Sequence, residues 1–217
     1  MTQDNATESL MTPREVETLF TRADGSFAFA RWGRPIAPVV FGVEDTTLSV
    51  VKGALEAVVT LAGHDIAETD PELGSNLMVF FLRDWAELTD VSGMAGLVPE
   101  LEPLLVRLQA ADANQYRFFR FDAAGAIKAC FVFLRMDAHL AEIPADTLAL
   151  GQMVQAMLLW SDTAFRDQSP LAVVGKTTIL RPEISGLVRA AYDPVLPLSA
   201  QDPSHALRLA ARLAVQR

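Results

Sequence analysis

Two glutamine side chains, Gln152 and Gln155, are the most informative polar residues of this sequence. They stand three positions apart in residues 145–160, an apolar stretch whose length predicts a buried helix. A buried amide must be hydrogen-bonded, because leaving it unpaired costs about 1–3 kcal/mol. Two interpretations follow from this. The amides either tie the helix to a sheet edge or to the loop after residue 160, or they line a cleft and contact a peptide or a small ligand.

Gly151 stands directly before these glutamines, and Trp160, Ser161 and Asp162 follow at the end of the apolar stretch. We predict that Gly151, Gln152, Gln155, Trp160, Ser161 and Asp162 line one groove. Arg31 and Trp32 are further candidates for its flanks, although packing in the core explains the tryptophans equally well.

Paired carboxylates offer a second kind of chemistry. Asp70 with Glu72, or Asp162 with Asp167, have the residue types of a general acid and base, but the chain has 27 Asp and Glu residues and a solvated surface is the default for them. The sequence lacks the G-x-S-x-G pattern of a nucleophile elbow. The alternative function is therefore a hydrolase that uses carboxylates or Ser161 in the same groove.

The remaining motifs do not support a metal or nucleotide site. His64, His139 and His205 are far apart without ligand spacing, and we interpret them as surface or capping residues. Residues 173–177, Val-Val-Gly-Lys-Thr, have the ending of a phosphate loop, but Pro170 stands where that motif requires glycine. We therefore expect neither a cofactor nor a bound metal.

Composition excludes several partners. The chain of 217 residues is 51% hydrophobic and carries a net charge of −9, with its 18 basic residues scattered. Nucleic acids and anionic membranes require clustered Lys and Arg, so neither is an expected partner. No apolar run reaches the roughly 18 residues that span a bilayer. The single cysteine, Cys130, lies in an apolar strand and is predicted to be a buried, inert thiol.

The order of elements predicts an α+β fold with a mixed sheet packed on helices and a helical C-terminal part. Residues 1–11 are predicted to be a disordered tail, and residues 12–217 a single domain. The predicted strands are residues 27–32, 36–41 and 76–82 and a hairpin of 116–121 with 127–134. The predicted helices are residues 13–23, 45–61, 84–88, 99–110, 145–160, 183–192 and 203–215, with 161–180 as a loop. On the last helix, the predicted buried positions are Leu207, Leu209, Leu213 and Val215.

Three segments carry a family resemblance. They are Arg-Trp-Gly-Arg-Pro-Ile at 31–36 with Asn-Leu-Met-Val-Phe at 76–80, the segment 151–162, and Ile-Ser-Gly-Leu-Val-Arg-Ala-Ala-Tyr-Asp-Pro at 184–194. Together they resemble the zincin fold, and within it an uncharacterised bacterial family of degenerate zincin-like domains. The middle segment is similar to that family's Glu-Glu-x-x-Gln-x-x-Gly-Leu-x-x-Asp.

The resemblance implies a scaffold without its usual chemistry. Active zincins bind zinc through two His residues one helical turn apart, and the intervening Glu polarises water. The corresponding places here hold Gly151, Gln155 and Gln152, and the third ligand falls near Ser161 or Asp162. We expect a non-catalytic pseudopeptidase with a binding or structural role and a peptide or protein as its partner. The start of the sequence as given predicts a cytoplasmic protein, whereas the resemblance leaves a periplasmic or exported one open.

Overall fold

The computed structural model describes residues 11–215. Within this range the helices are α1 (Pro13–Thr18), α2 (Asp45–Ala62), α3 (Glu87–Asp90), α4 (Met94–Leu97), α5 (Leu101–Ala110), α6 (Ala138–Glu142), α7 (Ala145–Met157), α8 (Pro182–Ala191) and α9 (Ser204–Val215). The strands are β1 (Phe29–Ala30), β2 (Pro38–Phe41), β3 (Leu77–Leu82), β4 (Gln115–Phe121), β5 (Ile127–Arg135), β6 (Leu171–Val174), β7 (Thr177–Leu180) and β8 (Ser199–Ala200).

The chain has the predicted α+β fold, built on a mixed sheet in the order β2-β3-β5-β4. Strands β2, β3 and β5 are parallel, and β4 pairs with β5 in the antiparallel sense as an edge strand. Two short antiparallel pairs, β1 with β8 and β6 with β7, lie outside this sheet. None of the helices described for residues 11–215 combines the length and apolar character needed to cross a bilayer.

Helices cover both faces of the sheet, because side chains along β3 and β5 alternate between two apolar clusters. Val79 and Val132 join the larger cluster, which lies against α1, α2, α7, α8 and α9. Phe80 and Phe133 join the smaller one, which lies under α3, α4 and α5. A strand buried on both faces requires a nearly continuous apolar sequence, and β3, Leu-Met-Val-Phe-Phe-Leu, has one.

Local signals in the sequence placed several elements correctly. Thr12 and Glu15 form the reciprocal capping box at the start of α1. Gly63 ends α2 in the left-handed conformation, with φ +64°, where a side chain would be strained. The hairpin of β4 and β5 pairs Phe119 with Cys130, and Cys130 is completely buried as predicted. Burial raises the pKa of its thiol to about 12, so the thiolate is strongly disfavoured.

Other predictions about the elements were wrong. Helix α1 ends at Thr18 rather than near residue 23, and β1 has only two residues. The segment 161–180, predicted to be a loop, contains the β6–β7 hairpin. Helices α4 and α6 were not predicted. The tail predicted for residues 1–11 lies outside the described residues except for Met11, which packs against the larger cluster.

Helix α9 buries a different face from the one predicted. Leu209 and Leu213 are buried, but Leu207 and Val215 are 58% and 73% exposed. His205 occupies the buried face instead, so its interpretation as a surface or capping residue was wrong. Its ring lies 4.4 Å from that of Phe29, and neither ring nitrogen has a hydrogen-bond partner among the described residues. Burial, helped by the charge of Arg208, lowers the pKa of His205 to about 4.

Burial of neutral His205 makes the fold sensitive to acid. Because the folded-state pKa lies below the ordinary value of 6.5, the unfolded chain binds the extra proton between these two values, and stability falls as the pH drops from 6.5 towards 4. We expect this group alone to remove up to about 3 kcal/mol of unfolding free energy over that range. His205→Phe fills the apolar site without a titrating group, so it should be the more stable protein at pH 5. Urea denaturation at pH 7 and pH 5 measures the difference, with exposed His139→Phe as the control. Equal acid sensitivity of His205→Phe and wild type would contradict this account.

Candidate functional site

The C-terminal end of α7 is held by side chains that donate to its last carbonyl groups. A helix leaves its final carbonyl oxygens without partners inside the helix. Here the Trp160 indole N–H donates to the Val154 carbonyl at 3.1 Å, and the Trp32 indole N–H donates to that of Ala156 at 2.9 Å. The Tyr192 hydroxyl donates to the Met157 carbonyl at 2.8 Å. These contacts explain why the helix ends at Met157 rather than at residue 160 as predicted.

The chain after Met157 leaves the helix and is fixed against β1 and the loop that precedes it. The Leu159 N–H donates to the Ala30 carbonyl, and the Ser161 N–H donates to that of Leu19, both at 2.9 Å. The Asp162 Oδ1 accepts from the Ala23 N–H at 3.0 Å. As a result, residues 158–162 form a wall beside the end of α7.

An arginine on the edge strand β4 connects this strand to α7. Nη2 of Arg117 donates to Oε1 of Gln152 at 2.6 Å, and Nη1 donates to Oε1 of Gln155 at 3.3 Å. Gln152 in turn donates through Nε2 to Oε1 of Gln115 at 2.6 Å, and Gln155 donates to the Gly151 carbonyl at 3.1 Å. Both glutamines therefore tie the helix to the sheet edge, which is the first of the two interpretations of these amides.

The charge of Arg117 is poorly compensated. In residues 11–215, no carboxylate oxygen lies within 4 Å of its guanidinium, whose direct partners are the neutral amides. Its Nε is buried without a hydrogen-bond partner. Loss of solvent lowers the pKa of Arg117 from its ordinary value, although the group stays protonated because that value is far above neutral. A cation in such surroundings attracts an anion.

A cavity of about 520 Å³ opens at this point, and we call it the α7 groove. Its polar lining consists of Arg22, Arg117, Gln155, Ser161, Asp162 and Arg166. Its apolar lining consists of Phe119, Leu159, Trp160 and Phe165. The volume is in the range of small-molecule sites, roughly 300–1,000 Å³.

The structure brings together four of the six residues predicted to line one groove. Gln155, Trp160, Ser161 and Asp162 all line the α7 groove, in keeping with the second interpretation for Gln155. Gln152 does not line it, because its side chain is buried beneath Arg117. Gly151 faces the β6 strand instead, where a Cβ atom would lie 3.5 Å from Leu171.

The two predicted flanking residues have structural partners. Trp32 is fully buried under α7. Arg31 donates to the Leu196 carbonyl at 3.2 Å and lies 5.4 Å from the centre of the Tyr192 ring. Neither lines the α7 groove, and core packing explains both.

Asp70 and Glu72 lie at a different cavity, beside Arg34. Arg34 contacts both carboxylates at 3.3 Å, and Lys128 also contacts Glu72. Burial opposes ionisation of Asp70, but hydrogen bonds from the Leu73 and Glu72 N–H groups outweigh it and leave its pKa below the ordinary value. Hydrogen bonds from Lys128 and Arg34 lower the pKa of Glu72. Both carboxylates are thus held ionised, the opposite of what a general acid requires.

Among the described residues, neither Ser161 nor the remaining motifs from the sequence have the partners that catalysis or metal binding requires. The Ser161 hydroxyl lies 3.1 Å from that of Thr163 and 3.5 Å from the Thr18 carbonyl, and neither group is a base. Asp162 lines the α7 groove, but Asp167 does not. Residues 173–177 form the β6–β7 turn around Gly175, not a loop that opens a helix. Across the part of the chain that the structure describes, no three His, Cys, Asp or Glu side chains gather as metal ligands.

Arg117 is the residue that the sequence did not single out. On an alternating strand, Arg117 shares its face with Phe119 and Phe121. A single charge on an otherwise aromatic face was the one feature of the sequence that could have indicated a role for Arg117. Its partners Gln152 and Gln155 are 35 and 38 positions away in the chain, so no local pattern connects them.

Comparison with protein-family models, with curated proteins and with solved structures finds no match. Function must therefore be inferred from the residues of the α7 groove and the elements that hold them.

The contacts of Arg117 predict unequal roles for the two glutamines. Gln152→Leu leaves the Arg117 Nη2 without its short, buried acceptor and should lower the unfolding free energy by about 2–3 kcal/mol. Gln155 is half-buried at a longer distance, and water can replace its amide, so Gln155→Leu should cost under about 1 kcal/mol. Chemical denaturation of the two variants beside wild type measures this. Equal losses would show that the short Arg117–Gln152 bond does not stabilise the fold.

Proposed function

We propose that this chain is a non-catalytic, zincin-like domain with a binding role, whose ligand occupies the α7 groove. The ligand class is a peptide, a segment of a protein or a small molecule. A purely structural role is less well supported, because the groove is open and mixes aromatic and charged side chains.

The position of Gln155 carries the proposal. Its side chain faces a cavity beside β4, the edge strand of a mixed sheet. This is the place that the resemblance assigns to the second zinc ligand of an active zincin. A neutral amide there contributes hydrogen bonding, but it is a poor zinc ligand.

Arg117 supports the non-catalytic part of the proposal. Its Nη1 lies 3.3 Å from Oε1 of Gln155, so a dication placed at Gln155 would meet a positive charge at close range. Like charges at such distances repel strongly when solvent is partly excluded. The groove therefore favours a ligand that complements a cation.

The hydrolase alternative has less support. Asp70 and Glu72 are outside the α7 groove, and the hydrogen-bond partners of Ser161 are a hydroxyl and a carbonyl group. Asp162 is the carboxylate that lines the groove, and it accepts a backbone N–H. Hydrolysis by Ser161 or a carboxylate in this groove stays a prediction without a favouring contact.

Restoring the zinc ligands tests the zincin-like alignment. The triple variant Gly151→His, Gln152→Glu and Gln155→His should bind zinc weakly, because residues four positions apart are neighbours on a helix surface and their imidazoles can reach one ion, with the first ring beside Leu171 of β6. Adding Arg117→Gln should strengthen the binding by removing the repelling charge. Zinc affinity is measured by competition with a chromogenic chelator, and wild type purified without a His tag should contain no stoichiometric zinc.

The matched control places an equivalent histidine pair on a surface helix. Leu207 and Ala211 are exposed and four residues apart on α9, so Leu207→His with Ala211→His sets the affinity of a bare pair. Zinc affinity of the triple variant that is no higher than that of the surface pair would contradict the zincin-like alignment. Stoichiometric zinc in wild type that is lost in Gln155→Ala would contradict the non-catalytic proposal.

A further inference from the structure

We propose that the α7 groove selects a carboxylate carried on an aromatic or apolar body, with Arg117 as the group that binds the carboxylate. This inference rests on the binding role proposed above and names the chemical class of the ligand. The free aromatic acid and the C-terminus of a peptide ending in an aromatic residue share this chemistry.

The charge of the groove is opposite to that of the chain. Three arginines line it, Arg22, Arg117 and Arg166, against the single carboxylate of Asp162, which leaves a local formal charge of +2 in a protein of net charge −9. No salt bridge within residues 11–215 involves any of these arginines. Positive charge is thus concentrated in the concave surface between α7 and β4, and such a cleft attracts anions.

Arg117 is placed to provide the specific contact. Each of its terminal nitrogens has two N–H groups, and each uses one of them on a glutamine amide. The guanidinium is held in place from α7, so a ligand would not have to immobilise a flexible side chain. A carboxylate would provide the ionic partner that the described residues do not, through charge-assisted hydrogen bonds.

The apolar side chains of the lining determine the chemistry of the part of the ligand that carries the carboxylate. Trp160 is fixed between two rings, stacked on Phe20 at 5.3 Å and edge-on to Phe165 at 5.0 Å. Trp160, Phe165 and Phe119 all line the groove, so an aromatic body finds fixed apolar walls beside the cation.

A monoanion fits this arrangement better than a phosphate dianion. Arg117 is partly buried and its Nε has no contact with solvent, while Arg22 and Arg166 are exposed side chains. One partly buried guanidinium neutralises one charge, and the other two arginines of the lining are exposed to solvent, which screens their attraction for an anion. A phosphate dianion would bring a second charge without a buried partner.

The test compares probes that share an aromatic body and differ in the charge and chemistry of the head group. The probes are 3-phenylpropanoate, 3-phenylpropanamide, 3-phenylpropylamine and phenylpropyl phosphate, with the peptide Ala-Ala-Phe as the free acid and as the C-terminal amide. Binding to the full chain is followed by NMR chemical shifts and by tryptophan fluorescence, in which Trp160 is the partly exposed residue of the groove and Trp32 and Trp85 are buried. We expect each acid to bind at least about tenfold more tightly than its amide, since one charge-assisted hydrogen bond accounts for that ratio. The acid that binds more tightly, 3-phenylpropanoate or Ala-Ala-Phe, shows whether the carboxylate belongs to a free aromatic acid or to the C-terminus of a peptide.

Two variants assign the preference to Arg117. Arg117→Gln should bind acid and amide equally. Gln152→Glu should also bind acid and amide equally, without removing the arginine. The new carboxylate stands at the position of Gln152 Oε1, 2.6 Å from Nη2, and neutralises the charge of Arg117. The Gln115 amide can rotate to donate a hydrogen bond to this carboxylate. If Arg117→Gln does not fold, Gln152→Glu decides. Arg107→Gln is the control, because it removes one positive charge as Arg117→Gln does. Arg107 is exposed on α5 over the other face of the sheet, away from the α7 groove.

The outcomes separate the inference from the proposed function. Equal binding of acid and amide by wild type, or a preference for acids that survives in Gln152→Glu, overturns the assignment of a carboxylate to Arg117 but leaves a binding groove. Tighter binding of the phosphate or of the amine overturns the choice of a carboxylate. No binding of any probe at millimolar concentration, with Trp160 and the groove resonances unchanged, overturns the binding role itself.

Discussion

The contact between Arg117 and the two glutamines is the constraint on which the site depends. It joins the edge strand to α7 and places a cation where the sheet, the helix and solvent meet. Amide oxygens satisfy part of the hydrogen-bonding capacity of the guanidinium without cancelling its charge. The protein therefore retains an uncompensated charge at the interface of its two main layers, and desolvation makes that charge more effective towards an anion.

The way in which α7 ends explains why the charge of Arg117 faces a cavity. Trp160, Trp32 and Tyr192 donate to three of the last carbonyl groups of the helix, so the helix cannot continue along its axis. The chain then leaves the helix, is fixed to β1 and to the loop before it, and brings Trp160, Ser161 and Asp162 to the groove that Arg117 also lines. The aromatic residues thus have two roles, since they end the helix and Trp160 also forms a wall of the groove. This sharing explains why Trp160, Ser161 and Asp162, just after the helix, line the same groove as Gln155 on the helix.

Much of the fold followed from local sequence pattern. The 45–62 helix, the doubly buried strand 77–82 and the hairpin with its turn near Gly125 have signals contained within about 20 residues, and all were predicted close to their observed bounds. The mixed sheet with its helical C-terminal part also followed from the order of these elements. The β6–β7 hairpin was missed because its strands are short and largely exposed, which left no buried alternation to detect.

The candidate site was only partly predictable. Gln155, Trp160, Ser161 and Asp162 were predicted to lie together and do, because they are neighbours in the chain. Arg117 was not connected with them, because its role arises from a contact between β4 and α7, which are separated in the chain by β5 and α6. The end of α7 was placed three residues too late for the same reason, since its donors include Trp32 and Tyr192 from distant segments. The zincin-like kinship remains a proposal that rests on the resemblance and on the place of Gln155.

The most direct measurement is a crystal structure of the chain soaked with 3-phenylpropanoate. We expect a carboxylate oxygen within about 3 Å of an Arg117 terminal nitrogen and the ring against Trp160. An empty α7 groove, or a ligand whose ring occupies it while the carboxylate points to solvent, would show that Arg117 does not select a carboxylate.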